Sequence, residues 1–540
     1  MKRVLIYYPF LFCLYPILFH FQQNSGYLRL VDLLLPLACA LAVTGLVWWA
    51  ASRITRNADK AGVLTVFWGL WFFAYGHLVW YGDHDPHGLL AMYIRDTPHL
   101  FWGQGLLLGT LPLLLIRRLT PEVRAMFGIM GLLLIVPVSA QIGWAQLTRP
   151  QLHVEAPSKP LPPPAVESDD PDIYFIVIDT YARADILETC FHIDNAPFLA
   201  KLRRRGFTIA DGSYANYGQT LLSIASSLNM EHMAQNTTLA GKPSPDIKPA
   251  VDMIKHSRVA ALLKARGYAV LSLSEFWQTE LENVDIGFRT GTERSKHVEI
   301  DPVPPFCKIV LDMTPLGPLT PQLSDWLDGE PEIDTSSEDD RKYLAMWKSR
   351  RKFFDLLGTM PRQDRPMFVF AHTLGLHAPL FFDRRGNLSD ERPSFRWEPG
   401  ILELNGTRQT LQEYEQRYAD HLAAINTLTL RAVDTILNNA TRPTVIILQG
   451  DHGPSGFHAR THGEAMALRE QMAIFNACYF SDGPPRALYP EYSPVNTFRL
   501  LFNHYFGTEY PLLPDRSYFS TWDKPFVFTD VTETVRKAMP

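Results

Sequence analysis

Three short apolar runs, far apart in the chain, each end on a side chain that can bind a metal or move a proton. Thr444-Val445-Ile446-Ile447-Leu448-Gln449 leads into Gly450-Asp451-His452-Gly453, and Asp172-Ile173-Tyr174-Phe175-Ile176-Val177-Ile178 leads into Asp179-Thr180. Met367-Phe368-Val369-Phe370-Ala371 ends on His372, with His377 close behind. Continuous apolar runs of this length suit strands covered on both faces, which means a parallel sheet between layers of helix. In such sheets ligands bind outside the carboxyl ends of the strands. Carboxylate oxygen beside imidazole nitrogen is a workable donor set for a divalent cation. A single Asp-His-Gly would read equally well as a polar turn. Its recurrence in kind at three strand ends makes a metal-dependent active site the economical reading.

The first 147 residues have a different character. Apolar segments near 4–22, 28–51, 62–81, 99–116 and 125–146 each approach the roughly 20 residues that a bilayer core requires. Five such segments in succession, without amphipathic partners, do not make a soluble core, so a bundle of five transmembrane helices is expected. Lys2 and Arg3, then Arg53, Arg56 and Lys60, then Arg117, Arg118 and Arg124 all fall on one side of that arrangement. The positive-inside rule places that side, and the N-terminus, in the cytoplasm. Everything beyond residue 147 then lies outside, in the periplasm or at the cell exterior. The formal net charge of -5 and the lack of a basic cluster exclude nucleic acid as a partner.

Residues 148–170 carry Pro157, Pro160, Pro162, Pro163 and Pro164 and read as an extended linker. The expected organisation is therefore 1–147 membrane bundle, 148–170 linker and 171–540 exterior catalytic domain. In that last part strands alternate with helices. Asn195 is the expected N-cap of a helix with Pro197 in its first turn, and Gly267 closes another over 259–268. A strand is expected over 269–273, and a long helix over about 410–438 precedes the Asp451 strand. Three cysteines in this half allow at most one disulfide, and no CxxC motif is present.

Within Tyr214-Ala215-Asn216-Tyr217-Gly218-Gln219-Thr220-Leu221-Leu222, glycine supplies a turn and a helix follows. Thr220 thus falls about at a helix N-terminus, where backbone N–H groups and the dipole favour a phosphate-like anion. A hydroxyl there can be a plain cap. Beside a metal site it becomes the best nucleophile in the chain.

Asp179-Thr180-Tyr181-Ala182-Arg183, the Thr220 turn, His372-Thr373-Leu374-Gly375-Leu376-His377-Ala378-Pro379, Asp451-His452 and His462-Gly463 together resemble the alkaline phosphatase and sulfatase superfamily. The resemblance is strongest to its membrane-anchored phosphotransferases, the lipid A phosphoethanolamine transferases and lipoteichoic acid synthases. It implies an α/β sulfatase-like domain with a mostly parallel central sheet behind the membrane bundle. It implies Asp179, Thr220, Asp451 and His452 as metal ligands, Thr220 as nucleophile, and His377 and His462 as catalytic histidines around the phosphoryl group or leaving group. Asp179 stands where the family usually has glutamate. The sulfatase signature Cys/Ser-x-Pro-x-Arg is missing, and threonine cannot become formylglycine, which disfavours a true sulfatase.

The expected function is transfer of a phosphoethanolamine or phosphoglycerol group from a phospholipid donor to an envelope glycan or lipid, through a phosphothreonine intermediate. The expected cofactor is zinc, with manganese as the alternative. Two other readings are a hydrolase of phosphodiesters or sulfate esters using the same site, and a non-catalytic membrane assembly factor.

Overall fold

The computed structural model describes residues 7–24, 28, 30–84, 89–115, 119–147, 170–235, 239–290, 305–317, 338–390, 410–454 and 459–538. Of the expected linker only Asp170 lies among them, its carboxylate 2.7 Å from Arg266 Nε. The chain divides into two compact units, one of residues 1–149 with 302–332, the other of 150–301 with 333–540.

The first unit is helical. Two of its helices, Leu30–Thr55 and Pro121–Trp144, are long and apolar enough to cross a bilayer. Of the five spans expected from the sequence, these two are of membrane length among the described residues. Helices Tyr8–Gln23, Ala58–Phe73 and Pro98–Leu113 cover the other expected segments, but each has 16 residues. That corresponds to about 24 Å of rise, short of a core of about 30 Å. The segment expected at 62–81 is divided at Ala74, after which the chain starts a new helix, Tyr75–His84. The segment around helix Pro305–Asp312, which the sequence reading placed in the catalytic domain, belongs to this first unit. Its fully buried Phe306 meets Phe21 edge-on at 5.4 Å, and Met313 O accepts the Gly76 N–H at 3.1 Å.

In the second unit, seven strands form one sheet. They are β1 (Asp172–Ile178), β2 (Thr208–Ile209), β3 (Ala269–Ser274), β4 (Ile286–Arg289), β5 (Met367–Thr373), β6 (Thr444–Gln449) and β7 (Asn476–Phe480), in the order β2-β7-β6-β1-β5-β3-β4. All pairings among β1, β3, β4, β5 and β6 are parallel, and β7 runs against them. The mostly parallel sheet expected from the apolar runs is therefore present. Each of β1, β3, β5 and β6 is buried along its whole length, as strands with helices on both faces must be. A separate hairpin, β8 (Tyr518–Thr521) with β9 (Lys524–Asp530), lies near the chain end.

Helix Leu411–Asn438 matches its expected span because Thr410 and Glu413 close a capping box at its start. Its buried stripe of Tyr418, Leu422, Ile425, Leu428 and Ile436 joins the main core. Asn195 does precede a helix, but its side chain does not cap it. The amide instead bonds Tyr181 Oη and Asn426, tying the loop after β1 to the long helix. All five cysteines are unbonded.

Register decides what the sheet can do. Ile178 lies opposite Thr373, Val177 opposite Gln449, and Ser274 opposite His372. The ends of β1, β3, β5 and β6 are therefore level, and the residues following them meet at one place. Gly450 permits the closest approach there, since a Cβ on it would stand 2.5 Å from the Tyr181 carbonyl oxygen. We expect Gly450→Ala to destabilise the second unit by about 1–3 kcal/mol, the range for overpacking a filled core. Chemical denaturation of the purified protein measures this, and an unchanged midpoint would contradict it.

Candidate active site

Asp451 is fully buried at the end of β6, and its Oδ1 accepts two backbone N–H groups, from His452 at 2.8 Å and from Thr180 at 3.1 Å. The second of these bonds links β6 to β1 across the sheet edge. It requires Thr180 to adopt φ +57°, a left-handed conformation costing a β-branched residue about 1–2 kcal/mol. The Thr180 carbonyl accepts the Tyr418 hydroxyl at 3.0 Å, so the strained residue is held from both sides. Local strain of this kind, imposed by surrounding bonds, is a common mark of a functional site.

His452 points its Nε2 between the two acidic groups, 3.7 Å from Asp179 Oδ1 and 3.7 Å from Asp451 Oδ2. Its Nδ1 is 2.8 Å from the Gly453 carbonyl, which can only accept, so Nδ1 carries a proton and in the neutral ring Nε2 is left with the lone pair. Thr220 Oγ1 lies 3.2 Å from that Nε2 and donates to it. Thr220 is the first residue of helix Thr220–Asn229, one position past its N-cap, Gln219, and no side chain caps this helix. The cap reading of the Thr220 hydroxyl is thereby excluded. Ser223, one turn on, donates to the Asp451 carbonyl at 2.7 Å and fixes the helix against the β6 end. Gln471 does the same for the turn, its Nε2 donating to Gly218 O at 2.7 Å while its own carbonyl accepts the Gly453 N–H at 2.7 Å.

Sequence reasoning left His372 undecided between packing and ligation. The structure places it with the carboxylates. Asp179, His372 and Asp451 each offer an atom such that all three lie within 4.8 Å of one another, and all three residues are buried. Asp179 Oδ1, Asp451 Oδ2 and His372 Nε2 are buried without a hydrogen-bond partner. Three orphaned donor atoms converging on one point would be costly in a finished core, and oxygen, oxygen and nitrogen match the ligand chemistry of a divalent cation. The residues present fit such an ion.

His372 is oriented from behind. Its Nδ1 lies 2.8 Å from Thr279 Oγ1, and Thr279 donates its own proton to Phe276 O at 2.8 Å. With Nδ1 as the donor to Thr279, the imidazole presents the Nε2 lone pair to the carboxylates. Burial pushes its pKa down to about 4, so the ring is neutral. Burial likewise lowers His377, with His452 and Arg350 adding to the effect. His377 stands on the turn after β5, half-buried, its Nδ1 donating to Ala378 O at 2.7 Å. Burial, and then the facing Asp451 carboxylate, raise the Asp179 carboxyl well above the usual range, with Arg350 opposing. His462 lies on helix Ala459–Met472, next to a break at Gly463 (φ +82°), and its side chain is outside the described residues. The Arg183 of the β1 motif turns away, to Asp185 at 2.7 Å and Ser213 O at 2.9 Å.

An α/β domain whose level strand ends gather two carboxylates, two imidazoles and a helix-borne hydroxyl defines the class of protein, one whose acid–histidine site at a sheet edge has the donor set to fit a cation. The sulfatase family model matches residues 171–498, more than half of the chain, and the protein belongs to that family. Among solved structures, the C-terminal periplasmic domain of EcEptC from Escherichia coli shares 10% identity, covering 68% of this chain and 96% of its own, with a TM-score of 0.40. The same domain in complex with Zn gives the same values. The integral membrane lipooligosaccharide phosphoethanolamine transferase A (EptA) from Neisseria meningitidis shares 12% identity, covering 93% of this chain and 95% of its own, with a TM-score of 0.38. No curated protein is similar at a significant level.

The like-charge pair makes a prediction about the metal-free protein. The folded-state pKa of Asp179 is raised, so its contribution to stability is complete below about pH 4 and is lost as pH rises through the folded value. Asp451→Asn keeps the oxygen that accepts the two N–H bonds and removes the opposing charge. At pH 8 with a chelator present, this variant is expected to be more stable than wild type, by on the order of 1–3 kcal/mol. Added zinc should reverse the order. Thermal unfolding with and without metal decides, and an unstable variant in chelator would show that the two charges do not oppose each other.

Proposed function

We propose that the protein is a membrane-embedded phosphotransferase that moves a phosphoethanolamine or phosphoglycerol group from a phospholipid to an envelope glycan or lipid. The observation that carries this reading is the Thr220 hydroxyl, 3.2 Å from His452 Nε2 at the uncapped start of a helix and beside the Asp179–His372–Asp451 cluster. That placement suits a nucleophile whose target is an anionic phosphodiester, because helix N–H groups stabilise the phosphoryl oxygens.

Asp179, Asp451, His452 and His372 would hold the cation, zinc by its nitrogen ligands, or manganese by its oxygens. When bound, the ion supplies Lewis acidity that lowers the pKa of the nearby hydroxyl and screens phosphoryl charge. Thr220 Oγ forms a bond to phosphorus as the bond to the diacylglycerol oxygen breaks, the proton lost from Thr220 being balanced by one delivered to that oxygen, leaving head-group-bearing phosphothreonine and diacylglycerol. An acceptor hydroxyl then displaces Thr220 and restores it. The neutral His377, with Nδ1–H committed to Ala378 O, is suited to accept the proton of the incoming hydroxyl in that second step. His462 is assigned to the leaving group of the first.

The first unit supports a lipid setting. Leu34, Leu35, Leu46 and Trp49 on one helix, Leu107, Leu108 and Leu111 on another, and Ile129, Leu133 and Val136 on a third are exposed on the protein surface. So much contiguous apolar surface is not tolerated in water. The five-span arrangement, with a cytoplasmic N-terminus and an exterior catalytic unit, remains our topology, the 16-residue helices relying on flanking residues or local thinning of the bilayer. Tethering of the catalytic unit at the membrane would raise the effective concentration of a lipid donor.

The test is to incubate the full-length protein with vesicles of phosphatidylethanolamine or phosphatidylglycerol and search for the head-group adduct on Thr220 by mass spectrometry. We expect an adduct in wild type, none in Thr220→Ala, and donor turnover in that variant lowered by more than about a thousandfold. An adduct consumed by water alone would make the protein a hydrolase. Wild-type turnover by Thr220→Ala would remove Thr220 from the mechanism.

A further inference from the structure

Behind the site lies a charged pair with almost no contact with solvent. Arg350, on helix Glu338–Gly358, has a side chain 1% exposed, and Glu275, just past β3, has one 3% exposed, with Arg350 Nε and Glu275 Oε2 2.8 Å apart. Neither is a member of the ligand set. Among the described residues, their further side-chain hydrogen bonds go to the turn between His372 and His377. Glu275 Oε2 accepts Thr373 Oγ1 at 2.6 Å and the Leu374 N–H at 2.8 Å, and the Glu275 N–H donates to His372 O at 3.1 Å. Arg350 Nη1 donates to Gly375 O at 2.6 Å. That same carbonyl accepts His421 Nε2 at 3.1 Å, while His421 Nδ1 accepts the Phe381 and Phe382 N–H groups at 3.1 and 3.2 Å. Burial, and then Arg350, hold His421 well below the ordinary histidine value, so it stays the neutral donor this arrangement needs.

A buried ion pair adds little net stability over a well-packed apolar pair, because desolvation offsets the attraction. Its retention here calls for another reason. Gly375 supplies one, since its φ is +35° and a Cβ on it would meet Ile178 Cγ2 at 2.5 Å. The turn is pressed against the end of β1, and Leu376 N–H reaches Asp179 O at 3.0 Å. Displacing the turn would move His372, His377 and Asp179 together.

We propose that Glu275 and Arg350 are positioning residues for the cation site, an outer shell that fixes the 372–377 turn and so sets where His372 Nε2 stands relative to Asp179 and Asp451. This rests on the cation-binding reading of the site but not on the identity of the reaction. Outer-shell partners of this kind typically change metal affinity ten- to a hundredfold.

The experiment uses full-length protein in detergent, zinc titrated against a competing chelator, and the visible spectrum of the cobalt-loaded protein. Arg350→Met leaves Glu275 as a buried unpaired charge and can unfold the protein, so the decisive variant is Glu275→Gln/Arg350→Met. It removes both charges and keeps an acceptor for Leu374 N–H. We expect this double variant to unfold at the wild-type temperature without metal, to bind zinc ten- to a hundredfold more weakly, and to shift the cobalt bands. Arg350→Lys should recover part of the affinity. Wild-type zinc affinity and an unshifted spectrum in the double variant would overturn the proposal, as would a loss of affinity that only follows the unfolded fraction. No zinc binding by wild type itself overturns the cation reading and the proposal with it. Zinc binding without phosphothreonine would overturn the transfer reaction and leave the positioning role standing.

Discussion

Asp179 and Asp451 are carried side by side because β1 and β6 are neighbours in register, and both carboxylates are taken out of water. Two like charges in that position repel each other and are each poorly solvated. Something must compensate, and the structure around them is organised to do so. Backbone N–H groups from Thr180 and His452 satisfy one oxygen of Asp451. The remaining unpaired oxygens face two imidazoles whose tautomers are set from behind. The donor set so arranged fits a divalent cation.

The same constraint explains features that look unrelated in the sequence. Thr180 is strained because its N–H must reach Asp451. Gly450 is a glycine because the β6 end must approach the Tyr181 backbone. Gly375 lets the turn carrying His377 lie against Ile178 and Asp179. Strain, close approach and buried charge are concentrated within a few residues of one sheet edge. The rest of the sheet is ordinary apolar packing, and a site built on its rigid strands can hold its geometry.

The helical unit obeys a different rule. Beside a small core of Tyr8, Phe12 and Val66, many of its described apolar side chains are exposed, so its stability depends on the surrounding medium as well as on that core. Hydropathy found its helices but not their ends. Ala74 interrupts a segment that a window of apolar residues reads as continuous. Helix Pro305–Asp312 was assigned to the wrong side of the linker, because eight residues of mixed polarity carry no signal of where they dock.

The sequence by itself determined β1, β5 and β6, their burial and the Asp or His at their carboxyl ends, and the strand β3 between helices, since an apolar run and a terminal Asp or His are local properties that no partner can change. It also determined that Thr220 begins a helix, because Gly218 and the following leucines settle that over a few residues. Tertiary structure alone decided that His372 joins the carboxylates while Arg183 turns away, and that Arg350 and His421 converge on the Gly375 carbonyl while Glu275 holds Thr373 and Leu374. Those outcomes depend on strand order and register, which bring residues nearly a hundred or more positions apart within hydrogen-bond distance. A buried charge is read from sequence as a surface residue until the fold supplies its partner.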